Sequence, residues 1–143
     1  MTTTPYHMTV RTHGPLQEVE VRVRQALSEQ GFGVLTEIDV QRTLKEKLDV
    51  DRGPMRILGA CNPALAHKAL KSEPTVAAFL PCNVTLFEDE GATVVSAMKP
   101  TVAMTLVGNP TVGDVAREAE ERLWKALQAA VPKPLEEPVG APA

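Results

Sequence analysis

Apolar and polar residues follow two different periods along this chain, and the switches between them mark its elements. Leu16, Val19, Val23, Ala26 and Leu27 recur at spacings of three and four, which puts them on one face of a helix over residues 15–30. Pro15 suits the first turn of that helix and Gly31 the position just past its end, while Val21 falls off the stripe. Residues 32–38 change to period two, with Phe32, Val34, Thr36 and Ile38 on one side and Gly33, Leu35 and Glu37 on the other, as in a strand. Asp39 is placed to cap a short helix through Leu48, in which Val40, Leu44 and Leu48 are four apart.

The same reasoning covers the rest. β-Formers over residues 8–13 predict a first strand, stopped by Gly14-Pro15. Residues 55–60 predict a strand that is apolar on both sides except at Arg56. Asn62 then caps a helix over residues 63–72, with Pro63 at its first position and Leu65, Ala66, Ala69 and Leu70 as its stripe. Residues 75–80 read equally as a short helix or an extended connector, and residues 102–107 as one more strand or irregular chain. Two strands over residues 83–87 and 93–97 flank a turn at Glu88-Asp89-Glu90-Gly91, where Gly91 suits a left-handed position. The longest pattern covers residues 111–131, where Val112, Val115, Ala116, Ala119, Leu123, Leu127 and Ala130 form one apolar stripe bordered by Trp124. Pro132, Pro134, Pro138 and Pro142 then predict a flexible tail at 132–143, leaving residues 1–131 as a single domain. A hairpin set among helices points to an α+β architecture, with helices packed on one face of a sheet.

Composition narrows the function classes. Aromatics are only 3%, so the core is aliphatic and no base-stacking platform is expected. With a net charge of −3 and no cluster of Lys or Arg, nucleic acid is not an expected partner. No apolar run reaches the roughly 18 residues of a spanning helix, so no membrane association is expected either. Two cysteines without a leader sequence fit the reducing cytoplasm.

The candidate chemistry sits in one segment. Cys61-Asn62 and Cys82-Asn83 bracket the helix that carries His67, and these two pairs hold both cysteines of the chain. Cys61 lies where a strand gives way to a helix, and Cys82 where a later strand begins. If those strands are antiparallel neighbours, both thiols and both Asn side chains converge at one sheet edge. If they are parallel, the thiols stand a strand length apart, roughly 17 Å. A thiol at a helix N-terminus can have its pKa lowered by the unpaired N–H groups there. The candidate ligand-binding residues are therefore Cys61, Asn62, His67, Cys82 and Asn83. Each also has a purely structural explanation: free Cys packs as a small hydrophobe, Asn62 is accounted for by capping, Asn83 by a turn, and His67 by a solvated helix face. No Cys-x-x-Cys, dinucleotide fingerprint, nucleophile elbow or calcium loop is present.

Gly31–Val40 (GFGVLTEIDV), Arg56–Pro63 (RILGACNP), Ala66–Leu70 (AHKAL), Leu80–Val84 (LPCNV) and Val94–Ala97 (VVSA) together resemble a bacterial and archaeal family known only as domain of unknown function number three hundred and two. The resemblance covers roughly residues 6–107, and the final helix fits it. It implies a TATA-box-binding-protein-like fold, with a curved, mainly antiparallel sheet, helices on one side and added decorations. It also implies a homodimer. It brings no catalytic residue, and a fold name does not carry DNA binding with it.

Taken together, these readings favour a small soluble binding module over an enzyme, with the paired Cys-Asn segments lining a small-ligand or soft-metal site. The alternatives are a homodimeric interaction protein with buried cysteines and a thiol-dependent redox protein; the cofactor, if any, is unspecified.

Overall fold

A computed structural model describes residues 2–136. In chain order the elements are β1 (Thr2–Thr3), β2 (His7–Thr12), α1 (Leu16–Glu29), β3 (Gly33–Asp39), α2 (Val40–Leu48), β4 (Met55–Cys61), α3 (Pro63–Ser72), a 3-10 helix (Pro74–Phe79), β5 (Cys82–Asp89), β6 (Ala92–Met98), α4 (Pro100–Thr105) and α5 (Pro110–Ala130). The strands form one open sheet in the order β1-β2-β6-β5-β4-β3, with every neighbouring pair antiparallel. β1, only two residues long, is an edge that the hydrophobic pattern did not announce. None of the described helices is long and apolar enough to cross a membrane.

Strand alternation splits the sheet into two faces. Val10, Leu58, Val84, Leu86, Val95 and Ala97 enter a core shared with Leu16, Val19, Val23 and Leu27 of α1 and with Leu123 and Leu127 of α5. These are the stripes read from the sequence, buried as amphipathic helices bury them. The other phase of the strands places Thr9, Ser96, Thr85, Ile57 and Ile38 in one row across five strands. A second, smaller core joins Ala69, Val76 and Met104 to Val112, Val115 and Ala116 at the start of α5.

The helix starts are set locally. Asp39 accepts from Arg42 N–H, Asn62 from Leu65 N–H, and Asn109 from the N–H groups of Thr111 and Val112, with Pro next in line at α3 and α5. The β5–β6 turn is tighter than the sequence suggested: Asp89 pairs with Ala92, and only Glu90 and Gly91 lie between. Both have positive φ, 49° and 78°, as a primed two-residue hairpin turn requires.

Two expectations are corrected, and one open alternative is decided. β3 does not keep one apolar face, because its register slips between Val34 and Thr36. That bulge pairs Val34 with Ala60 and Glu37 with Leu58, both core-facing, and sends Thr36 and Ile38 to the opposite side. Residues 102–107 are not a strand: Pro100 opens α4 at its first helical position, and Met104 alone of its apolar side chains is buried beside Pro100. Residues 75–80 resolve as the 3-10 helix. Of the expected tail, residues 137–143 lie outside the described residues; within the described part, Leu135 N–H donates to the Arg11 carbonyl at 2.8 Å.

Candidate functional site

Because β4 and β5 are antiparallel, the end of one lies beside the start of the other, and Ala60 is the cross-strand partner of Cys82. Cys61 follows at once and pairs across the other side of β4 with Gly33. Cys61 and Cys82 contribute to the wall of one chamber enclosed by the ends of β4 and β5, α3, α4 and α5. Its remaining lining is apolar except for Asn62: Phe32 just before β3, Leu65, Ala66 and Ala69 from α3, Leu80, Met104 from α4, and Val115 and Ala119 from α5. It offers about 20 Å³ to the centre of a water-sized sphere, and a single water needs roughly 10–15 Å³ on that measure. The chamber therefore suits one atom-sized or water-sized occupant.

Asn62 is buried but engaged. Its Oδ1 accepts from Leu65 N–H at 3.2 Å, and its Nδ2 donates to the Gln30 carbonyl at 3.3 Å. The amide can come this close to the end of α1 because residue 31 has no side chain. A Cβ on Gly31 would stand 2.9 Å from Asn62 Nδ2, and its φ of +83° is one that side chains rarely adopt.

Neither thiol is activated. Burial pushes the Cys61 thiol up, and pushes Cys82 up to about 11, with the nearby Cys61 charge adding to the effect. The expected lowering by the helix N-terminus does not occur, because an apolar wall penalises the thiolate more than the start of α3 favours it. Among the described residues no acidic or imidazole side chain contributes to the chamber wall.

The structure separates the other two predicted residues from this place. Asn83 is exposed and Cys82 buried, as successive residues of a strand must point to opposite faces. His67 is exposed on α3 while Leu65, Ala66 and Ala69 line the chamber. Met104 is the lining residue the sequence did not single out; a lone Met in an ambiguous segment carries no local signal, and only the packing of α4 on α5 brings it there.

A wider cleft of about 510 Å³ lies between Gly14-Pro15, Gly53-Pro54 and the β5–β6 turn. Two of its acidic groups have partners: Glu88 Oε1 accepts from Leu16 N–H, and Asp89 pairs with Arg11 at 3.1 Å.

A family model described as "Domain of unknown function DUF302" matches residues 8–130. Among solved structures, one described as "Crystal structure of uncharacterized conserved protein DUF302 from Bacillus stearothermophilus" is 33% identical, covers 87% of this chain and 97% of its own, and superposes with a TM-score of 0.81. No curated protein matches the chain.

Proposed function

We propose that this chain, which belongs to the domain-of-unknown-function family DUF302, is a small binding module whose site is the chamber between Cys61 and Cys82. The observation that carries this reading is that both free cysteines, 21 positions apart in sequence, line one chamber of about 20 Å³. Organic ligands of drug size occupy roughly 300–1,000 Å³, so the occupant is of atomic dimensions. Cysteine suits a soft metal ion, which prefers thiolate to water or carboxylate oxygen. The test is native mass spectrometry with one equivalent of Ag(I). One ion should be retained per chain, lost on Cys61→Ser or Cys82→Ser and kept in His67→Ala and Asn83→Ala. Equal silver uptake by the wild type and the Cys61→Ser/Cys82→Ser double variant removes the reading.

One observation favours a second reading, an interaction protein that pairs with another copy of itself. β3 stands at the edge of the sheet, with Leu35 67% and Ile38 47% exposed, and α2, which follows it directly, buries no residue despite its apolar stripe. An antiparallel edge of this kind extends by pairing with its own symmetry mate. Sedimentation equilibrium should then find a dimer that Leu35→Lys dissociates; a monomer across the micromolar range disposes of this alternative.

A further inference from the structure

We infer that Ser96 is a nucleophile that aliphatic esters acylate, with His7 drawing its proton through the hydroxyl of Thr9. All three side chains lie on the sheet face turned away from the core that holds α1 and α5. None of them lines the cysteine chamber, so the inference stands apart from the reading above.

His7 Nδ1 and Thr9 Oγ1 are 2.7 Å apart, and Thr9 Oγ1 and Ser96 Oγ are also 2.7 Å apart. His7 and Thr9 stand two positions apart on β2, and Ser96 is the cross-strand partner of Thr9 on β6. Thr9 is buried, while His7 and Ser96 are half-buried. A threonine hydroxyl has one proton to share between these two contacts. When His7 is neutral with its proton on Nε2, Thr9 donates to Nδ1 and accepts from Ser96. The Ser96 proton is then directed at Thr9 and its lone pairs away from it. A cross-strand pair of hydroxyls is an ordinary sheet contact. Here the pair ends on an imidazole nitrogen, and a base in that position is what activates a serine.

The row that holds Ser96 points to the substrate. Across the sheet from Thr9 it reads Ser96, Thr85, Ile57 and Ile38, one residue per strand. Thr85 places a hydroxyl beside Ser96, where it can donate to an ester carbonyl oxygen as that oxygen gains charge. Beyond Thr85 the row is apolar: Ile57 is half-buried and Ile38 is exposed. Neighbouring strands lie about 4.8 Å apart, so these two residues stand roughly 10 and 14 Å from Ser96. An acyl chain of medium length reaches that far. An aliphatic ester thus meets a nucleophile, a carbonyl donor and hydrocarbon along one line.

In the acylation step Ser96 Oγ bonds to the ester carbonyl carbon, and the bond from that carbon to the alcohol oxygen breaks. The alcohol oxygen leaves with the electron pair. The Ser96 proton passes to Thr9 Oγ1 while the Thr9 proton passes to His7 Nδ1, and the imidazolium releases a proton to solvent.

The test mixes the full chain with p-nitrophenyl octanoate, follows nitrophenolate release and locates the acyl group by peptide mapping. The expected result is one acyl group per chain on Ser96, and none in Ser96→Ala. Thr9→Val, which removes the hydroxyl and keeps the shape, should slow acylation about a hundredfold, as should His7→Gln. The loss should fall on the rate at saturating ester and leave the half-saturating concentration unchanged, and Thr9→Ser should restore the rate. Urea unfolding shows whether each variant is folded; if Thr9→Val is not, His7→Gln and Thr9→Ser carry the test. Relative to their rates in buffer, the octanoate should react faster than p-nitrophenyl butanoate, and Ile57→Thr should weaken that preference. An unlabelled wild type, a label on another residue, or acylation at the wild-type rate in Thr9→Val or His7→Gln overturns the inference. Equal reactivity of the two esters overturns the assignment of an aliphatic substrate.

Discussion

Cys82 begins β5 with its side chain only 5% exposed, and that enclosure governs its chemistry more than any neighbour does. Burial pushes its thiol up to about 11 from the usual 9.0. Near neutral pH iodoacetamide should modify Cys61 first and Cys82 only after unfolding, which peptide mapping of partially alkylated protein will show. The same shift has a consequence for stability. Between pH 9 and 11 the folded chain keeps a proton that the unfolded chain has released, so stability is full below the lower value and falls as pH rises through the upper one. The loss amounts to about 2–3 kcal/mol, measurable as a fall in the urea midpoint between pH 8 and pH 11 that is smaller by that amount in Cys82→Ala. Two residues before Cys61, Gly59 leaves no room for a side chain: a Cβ there would lie 2.1 Å from Thr36 Oγ1 and 2.7 Å from Pro81 Cγ. Gly59→Ala should therefore destabilise by about 1–3 kcal/mol, read from the urea midpoint.

At the scale of elements, α5 and α2 show how far periodicity reaches. Both carry an apolar stripe at helical spacing, and both were placed from it. The stripe of α5 is buried along its whole length, from Val112 to Ala130, with Ala126 joining it; that of α2 contributes no buried residue. Period alone says that a helix has a preferred face, and the arrangement of the surrounding elements decides what meets that face. Leu123→Ala should consequently cost about 2–5 kcal/mol, the range for a fully buried Leu, and Leu44→Ala under about 1 kcal/mol. Chemical denaturation of the two variants checks the contrast. β3 adds the opposite lesson. Its alternation was legible, but the bulge after Val34 was not, because a slip of one residue is settled by which pairing buries Val34 against Ala60.

Across the whole molecule, Arg56 ties three elements together. From β4 it reaches Glu20 of α1 at 3.2 Å and Glu37 of β3 at 2.7 Å, and Arg24 of α1 pairs with the same two carboxylates. Arg56 Nε and Glu20 Oε1 lie within ion-pairing distance but out of hydrogen-bond alignment, and both are buried. The network therefore acts through charge more than through direct bonds at that contact. Arg56→Ala should cost about 1–3 kcal/mol, below the value for a fully buried pair because Glu37 is half-exposed and still has Arg24. Thermal or urea unfolding tests this, and Arg56→Lys should recover only part of the loss, since a single ammonium cannot serve both carboxylates in the same geometry.

The sequence by itself determined what short-range physics controls. The caps at Asp39 and Asn62, the proline that opens α3, the left-handed glycine of the hairpin and the stripes of α1 and α5 all depend on residues a few positions apart. Only the tertiary structure decided what depends on distant chain meeting: that β4 and β5 run antiparallel and side by side, that α4 brings Met104 to the chamber wall, and that His67 stays outside. The thiol pKa values belong to this second class, because a helix end favours a thiolate from a position the sequence reveals, whereas the hydrocarbon that opposes it arrives from four other elements.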